Sequence, residues 1–311
     1  VCYRLYSRHD LQGMPPFAQP EILVSDLAPL ALELAAWGVK DRVALIWLDV
    51  PPVAAWESGI GLLKDLGAID RTGSVTPQGR AMARLPLHPR LSRLMVRAGE
   101  LGCQRLGADL AAILSERDIF RQSGTDRIHN ERDVSERLDM LRRWRKGTEA
   151  SGAANPQALR TVERTARQLL SLVPGRPEAA DRVGDETEMI SRLLLCAFPD
   201  RICKRREEGG GRFVLVQGRG VRLSPDSGLG ASPYIIAVNL DAGEKTEGFV
   251  HVAAPVTEEL IRSECAGRIE TVRSVAWDDK AGRIAAALEE RIGALLLSQR
   301  PFKPSDEEAA P

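Results

Sequence analysis

Cysteine is scarce. Cys2, Cys103, Cys196, Cys203 and Cys265 are odd in number and scattered, with no Cys-x-x-Cys pair and no cysteine–histidine cluster. That pattern supports neither a disulfide framework nor a zinc site, and it fits a reducing cytoplasm. Long apolar runs are missing: none approaches the ~18 residues of a membrane-spanning helix. No leader peptide is visible. Net charge is also absent, with Lys+Arg and Asp+Glu at 43 each. Bulk charge therefore points to no polyanionic partner, and only the local distribution bears on that question. Catalytic motifs are lacking too. There is no G-x-x-x-x-G-K-S/T loop to cradle phosphates and no Asp-Glu-Ala-His tetrapeptide to hold magnesium. Gly59, Gly61 and Gly67 fail the dinucleotide spacing, His9, His88, His129 and His251 are isolated, and no nucleophile elbow occurs. The arginine motif that would meet the γ-phosphate is absent as well, and ATP hydrolysis needs all three kinds of part, so the chain alone is not expected to be an ATPase.

What is present is ordinary material for two or three domains: 311 residues, 43% apolar and 28% charged. The most informative stretch runs from Val43 to Arg93. Val43–Leu48 reads as a strand stopped by Asp49-Val50-Pro51-Pro52, because proline fixes φ and cannot donate to a ladder. Ala55, Gly59, Leu62, Leu63 and Leu66 then recur at helical spacing, and Gly67 suits a helix stop. Residues 68–70 and 74–76 form a small hairpin about Arg71-Thr72-Gly73, and Thr76-Pro77 opens a further helix through Ala83. A helix followed by a two-stranded wing is the winged-helix variant of helix-turn-helix. Before it, Asp26 caps a helix over Leu27–Trp37 that Gly38 ends. Core packing accounts for Trp37, Trp47 and Trp56.

The run LDVPP at 48–52, LLKDLGAID at 62–70 and TPQGRAMARLPLHPRL at 76–91 resembles the winged-helix domain of DEAH-box RNA helicases. The Leu85–Arg90 form is similar to the bacterial HrpB-type subgroup. CYRLYS at 2–7 reads as a lone strand. It resembles the segment that closes the second RecA-like domain of these enzymes, which implies that the chain starts at the tail of a motor domain. Family members usually carry an arginine where this chain has Val24.

Further along, Leu91, Leu94, Met95, Ala98 and Leu101 begin a series of amphipathic helices. Others follow at 106–114, 134–141, 159–173 and 189–197, with exposed loops at 147–156 and 174–184. The resemblance makes this series a ratchet domain. After Pro199 the period changes from 3.6 to 2: strands are expected at 213–216, 221–223, 234–240, 249–253, 269–277 and 284–297, with a helix at 258–265. Short strands so spaced suggest a small barrel, and the resemblance implies an OB-like fold, carried by PDRICKRR, GRFVLVQGRG and FVHVAAPV. The expected fold is thus α+β and multidomain: 1–26 motor-domain tail and linker, 27–88 winged helix, 89–199 helical ratchet bundle, 200–300 OB-like β-barrel, and 301–311 an acidic disordered tail.

The candidate site is basic. Arg201, Lys204, Arg205, Arg206, Arg212, Arg219 and Arg222 stand against Asp200, Glu207 and Glu208, a local net charge of about +4. Turns at 209–211 and 218–220 would bring these side chains to one barrel rim, to neutralise phosphates of a single strand. Phe213 and Tyr234 are its aromatics, and both fit a core equally well, so backbone contact is expected rather than base readout. A solvated edge that keeps the barrel from aggregating explains the same charges. A second run, Arg117, Arg121, Arg127, Arg132, Arg137, Arg142, Arg143, Arg145 and Lys146, is interleaved with acids and reads as ion-paired helix surface. Ser115-Glu116-Arg117-Asp118 nevertheless resembles a ratchet segment whose polar side chains would face a nucleic-acid channel. The acidic pairs Glu207-Glu208, Glu258-Glu259, Asp278-Asp279 and Glu289-Glu290 read as solvated, and His88 as structural.

The resemblance implies an accessory C-terminal region of an ATP-dependent RNA helicase. Its partners would be single-stranded RNA and the RecA-like motor domains of the same polypeptide, with ATP and Mg2+ held by those domains. Two alternatives stand: a winged-helix DNA-binding regulator reading the major groove with the helix at 52–66, or a protein-interaction module. That helix has one lysine and no arginine, which suits phosphates poorly.

Overall fold

The computed structural model describes residues 3, 5–14, 17–120, 133–147, 154–173, 185–206, 210–224, 227–241, 247–278 and 283–303. Residues 304–311 of the expected 301–311 tail, the whole 174–184 loop, residues 148–153 of the 147–156 loop, and Arg121, Arg127, Arg132, Glu207, Glu208 and Asp279 lie outside them. The chain forms two compact units, Val1–Arg80 and Ala81–Pro311.

In the first unit, helix α1 (Arg8–Gly13) starts at Ser7, whose Oγ accepts from the Asp10 amide at 3.1 Å while Asp10 accepts from the Ser7 amide at 3.0 Å. This reciprocal capping box is satisfied locally. The lone strand expected over residues 2–7 is therefore not there: among its described residues the chain is irregular up to that cap. Helix α2 (Ala28–Ala36) begins where Asp26 accepts from the Ala28 amide at 2.8 Å. Helix α3 (Val53–Asp65) buries Trp56, Gly59 and Leu63. A Cβ on Gly59 would sit 3.0 Å from the Ala28 amide nitrogen, so glycine is what lets α2 and α3 approach. Ile69 and Val75 make the wing's bridge, and Thr76 Oγ1 accepts from the Gly79 amide to start α4 (Pro77–Met82).

Val43–Leu48 is not a strand. Asp41 caps a 3-10 turn at Arg42–Ala44, and Ile46 and Leu48 are fully exposed. β-branched composition alone cannot make a strand without a ladder partner, and none exists for it among the described residues. Trp56 is buried as expected, but Trp37 is 78% exposed and Trp47 half-buried, so those two do not serve as core.

In the second unit, α5 (Pro89–Leu101), α6 (Gln104–Ser115), α7 (Val134–Arg145), α8 (Pro156–Leu172) and α9 (Glu186–Ala197) pack into a bundle. Gly102 ends α5 with φ +73°. Residues 154–155 were expected in a loop, yet Ala154 is buried and bridges Phe120.

A closed five-stranded barrel follows. It comprises β1 (Ile202–Arg205), β2 (Arg212–Leu215), β3 (Gly220–Arg222), β4 (Tyr234–Leu240) and β5 (Gly248–Val256), in order β1-β2-β3-β5-β4, with β3 and β5 parallel. Cys203, Phe213, Val221, Ile235 and Val250 fill its interior. On the other side of the same strands, Ile202, Ile236, Val252 and Ala254 join the bundle's core. Ser191 Oγ on α9 adds a hydrogen bond to the Pro255 carbonyl at 2.7 Å.

Helix α10 (Glu258–Glu264) then leads to β6 (Ile269–Asp278), β7 (Arg283–Ile292) and β8 (Leu295–Pro301). These do not extend the barrel but form a separate antiparallel sheet. The stretch 284–297, expected as one strand, is split by a turn at Gly293-Ala294. Gly293 has φ +54°, and a Cβ there would lie 2.3 Å from the Val216 carbonyl oxygen, so the turn seats directly on the barrel. The Ala294 amide donates to that same carbonyl at 2.7 Å. Pro301 ends β8 and Phe302 donates to the Ala286 carbonyl, so order extends beyond the expected boundary.

Of the acids expected to be solvated, Glu259 is exposed, while Glu258, Glu289 and Glu290 are engaged instead. Glu258 and Glu290 both bind Arg262 at 2.8 Å, Tyr234 donates to Glu258 at 3.1 Å, and Ser298 donates to Glu290 at 2.6 Å. Glu289 is buried against Arg291 at 2.6 Å. The reason is position: these acids stand on α10 and β7, where the barrel and the sheet meet, and not in turns.

Candidate nucleic-acid interface

The basic cluster divides into two groups. Arg201 reaches the Val238 carbonyl at 2.7 Å and lies over the Phe198 ring at 5.4 Å. Lys204 donates to the Leu296 carbonyl on β8 and stands 5.6 Å from the Tyr234 ring. Arg205 donates to the Gly230 and Ala231 carbonyls at 3.3 and 2.7 Å. These three cations bind carbonyls of their own fold, so the single rim expected for all of them does not form.

Arg206, Arg212 and Arg222 are the exposed group. The Arg206 amide donates to the Arg212 carbonyl, and Arg212 is the Cα partner of Arg222 across β2 and β3. Among the described residues none of the three has an ion-pair partner. Like charges directly opposite on neighbouring strands are unfavourable, so this edge holds positive potential at a cost to the fold. Arg219 is half-buried at the β2–β3 turn.

Arg117 is exposed on the loop after α6. With Glu116, Asn155, Gln157, Ala158 and Thr161 it lines a cleft of about 230 Å³ at the start of α8. Glu116 accepts from Thr165 at 2.8 Å and Asp118 holds Arg137 at 2.7 Å, so Arg117 is the cation of that segment which points outward.

Of the second basic run, Arg137, Arg142 and Arg145 are ion-paired. Arg145 grips Asp109 through two 2.6 Å bonds and Glu163 through a third. Arg142 grips Glu186 at 2.7 and 2.9 Å. His88 is structural: its Nδ1 accepts from the Arg90 amide at the start of α5. Arg90 is buried, holds Asp200 at 2.5 and 2.7 Å, donates to the Ala197 carbonyl, and lies over Phe198. Burial opposes the charge of Asp200, but Arg90 outweighs it and holds the carboxyl below its ordinary value.

Two side chains escaped sequence reading. Phe249 and His251 face outward on β5 with ring centroids 5.0 Å apart, and the Arg222 guanidinium lies 5.5 Å from the Phe249 ring. Their strand alternation was visible; their place beside Arg222 depends on the parallel β3–β5 pair, which joins Arg222 to Phe249.

Three family models match the chain. Residues 60–87 match the helicase associated domain (HA2), winged-helix; 88–166 match the ratchet-like part of HA2; and 268–302 match the connector region of ATP-dependent RNA helicase HrpB. The chain is homologous to the C-terminal region of DEAH-box ATP-dependent RNA helicases. Within that class it groups with the HrpB-type helicases. It is 30% identical to ATP-dependent RNA helicase HrpB of Escherichia coli over 310 residues, which is 99% of this chain and 34% of that protein. It is 27% identical over 276 residues to the pre-mRNA-splicing factor ATP-dependent RNA helicase prp22 of Schizosaccharomyces pombe, 84% of this chain and 24% of that one. A crystal structure of E. coli DExH-box NTPase HrpB superposes with a TM-score of 0.72 at 28% identity, covering 97% of this chain and 34% of that one. The chain thus spans about a third of its HrpB relative. The connector match falls on α10's exit and the β6–β8 sheet, the part that sequence reading had merged with the barrel.

Proposed function

We propose that this chain is the accessory region of an ATP-dependent RNA helicase, which holds single-stranded RNA and couples it to ATPase domains of the same polypeptide in the cytoplasm. The observation that carries the proposal is the exposed edge of Arg206, Arg212 and Arg222, none of which forms an ion pair with a described residue. Phosphates would release counterions there and relieve the repulsion between Arg212 and Arg222. Arg117, exposed at its own cleft, is a second contact point. The strand order, with its parallel β3–β5 closure, supports the OB-like reading of the barrel, a fold that binds oligonucleotides. Trp37, Ile46 and Leu48 give the Val1–Arg80 unit exposed apolar surface suited to covering by another domain. ATP and Mg2+ would belong to that domain, since the residues that hold them are not in this sequence.

The test is titration of the 311-residue chain into fluorescein-labelled single-stranded RNA at several salt concentrations. Affinity should fall with salt. The triple variant Arg206→Ala, Arg212→Ala, Arg222→Ala should flatten the log–log slope by about 2, at ~0.7 per phosphate contact. No binding at about 50 mM salt would overturn the proposal.

A further inference from the structure

Resting on the RNA-binding reading, we infer that Phe249 and His251, flanked by Arg222 and Arg212, form a platform on which a base of the single strand stacks. The two rings project from alternate positions of β5 on the barrel's outer face, edge to face at 5.0 Å. Each is held in place. The Phe249 amide donates to Asp241 Oδ1 at 2.8 Å, while Asp241 Oδ2 lies 3.5 Å from His251 Nε2. Gly248, just before them, is packed so closely that a Cβ would meet the Asp241 carbonyl oxygen at 3.0 Å. Asp241, just after β4, and Gly248, at the start of β5, thus hold the base of the platform. Of the carboxylates beside it, Asp241 is already committed to the Phe249 amide and His251, and Glu247 lies against Gly220.

The charges complete the site. Arg222 sits over the Phe249 ring at 5.5 Å, close enough for a cation–π contact. Its planar guanidinium is itself a stacking surface. Arg212, one strand further, extends the positive edge. Aromatic and guanidinium planes beside exposed cations are what a single strand needs: bases stack regardless of sequence, and phosphates meet charge.

Two strands of equal length separate stacking from charge: an oligouridylate, and an abasic ribose-phosphate strand. Phe249→Leu keeps apolar volume and removes the ring. It should weaken oligouridylate binding roughly 5- to 150-fold, the measured range for one stacked base, and leave the abasic strand unchanged. Phe249→Trp should restore affinity, and its added emission should be quenched by oligouridylate and not by the abasic strand. Arg212→Ala with Arg222→Ala should weaken both strands. If Phe249→Leu leaves oligouridylate affinity unchanged, or weakens both strands equally, the platform is refuted while RNA binding stands. If Phe249→Leu does not fold, as judged by circular dichroism, the quenching of Phe249→Trp decides: equal quenching or none refutes the platform. Failure of the parent chain to bind either strand at low salt refutes both readings.

Discussion

Removing Arg145 should destabilise the helical bundle more than any exposed substitution. Its guanidinium makes three 2.6 Å bonds, two to Asp109 and one to Glu163, whose side chains are only 7% and 10% exposed. These bonds tie α7 to α6 and α8. In Arg145→Ala, Asp109 loses its guanidinium, while Glu163 keeps only Arg167, which is largely in water. Breaking a buried pair from one side costs about 3–5 kcal/mol, mostly the penalty of the stranded charge. For a unit of this size each kcal/mol moves Tm by roughly 2–4 °C, so a fall of about 6–20 °C is expected. The effect has a pH signature. Burial opposes ionisation of Glu163, but Arg145 and then Arg167 outweigh it, so its carboxyl is held below the ordinary value. A depressed folded pKa adds stability that is present above the unfolded value and lost as pH falls through the folded one. The gap between parent and variant should therefore be widest near pH 7 and narrow toward about pH 4. Urea unfolding followed by far-UV circular dichroism at both pH values reads this directly. A variant within ~1 kcal/mol of the parent at neutral pH would show that the network is worth no more than a surface pair. Replacing all three partners by leucine should recover most of the loss, because no charge is then left buried.

Arg90→Ala should cost about 3–5 kcal/mol by thermal shift, since Asp200 and the Ala197 carbonyl lose their donor. The loss should shrink in acid, as Asp200 takes up a proton. Gly293→Ala should cost about 1–3 kcal/mol, because the added Cβ meets the Val216 carbonyl at 2.3 Å from a left-handed backbone. Limited proteolysis should then cut the β6–β8 sheet faster than in the parent, and unchanged cleavage would count against the docking role of that turn. Burial pushes the thiols of Cys196 and Cys203 up to about 12. Iodoacetamide at about pH 8 should therefore label them at least ~10-fold more slowly than a free cysteine near pKa 8.5, as read by mass spectrometry.

The helices were legible because their signals are local. Asp26, Thr76 and Gly102 punctuate them as capping chemistry predicts, and the apolar spacing of α5 and α8 survives in the buried faces Leu91, Leu94, Met95, Ala98 and Leu159, Val162, Ala166, Leu169. What failed was non-local. The cations of 201–205 looked like one charged patch because their acceptors lie 25, 26, 37 and 92 residues away. The same run hid β1, whose four residues show no alternation until β2 and β4 flank it. Val43–Leu48 erred the other way, with strand composition but no neighbour to pair with. For the candidate site, charge marked one region, and the structure divides it into cations bound to carbonyls and cations that are exposed. Exposure, and the register of two short strands, selected Arg206, Arg212 and Arg222.

Strand β1 has one more implication. Ile202 belongs to the bundle's core and Cys203, one residue on, to the barrel's. Consecutive side chains of a single strand thus serve two interiors, and the wall between them is common property. A chimera that grafts this barrel onto another protein would carry half a hydrophobic interface with nothing to cover it unless α9 travelled with it. Inheritance should show the same constraint, with the bundle and the barrel exchanged between relatives as one cassette. The β6–β8 sheet falls under the same constraint: besides its turn, its lysine contact and the Arg262 bridge, Ile292, Leu295 and Leu297 lie in that same core.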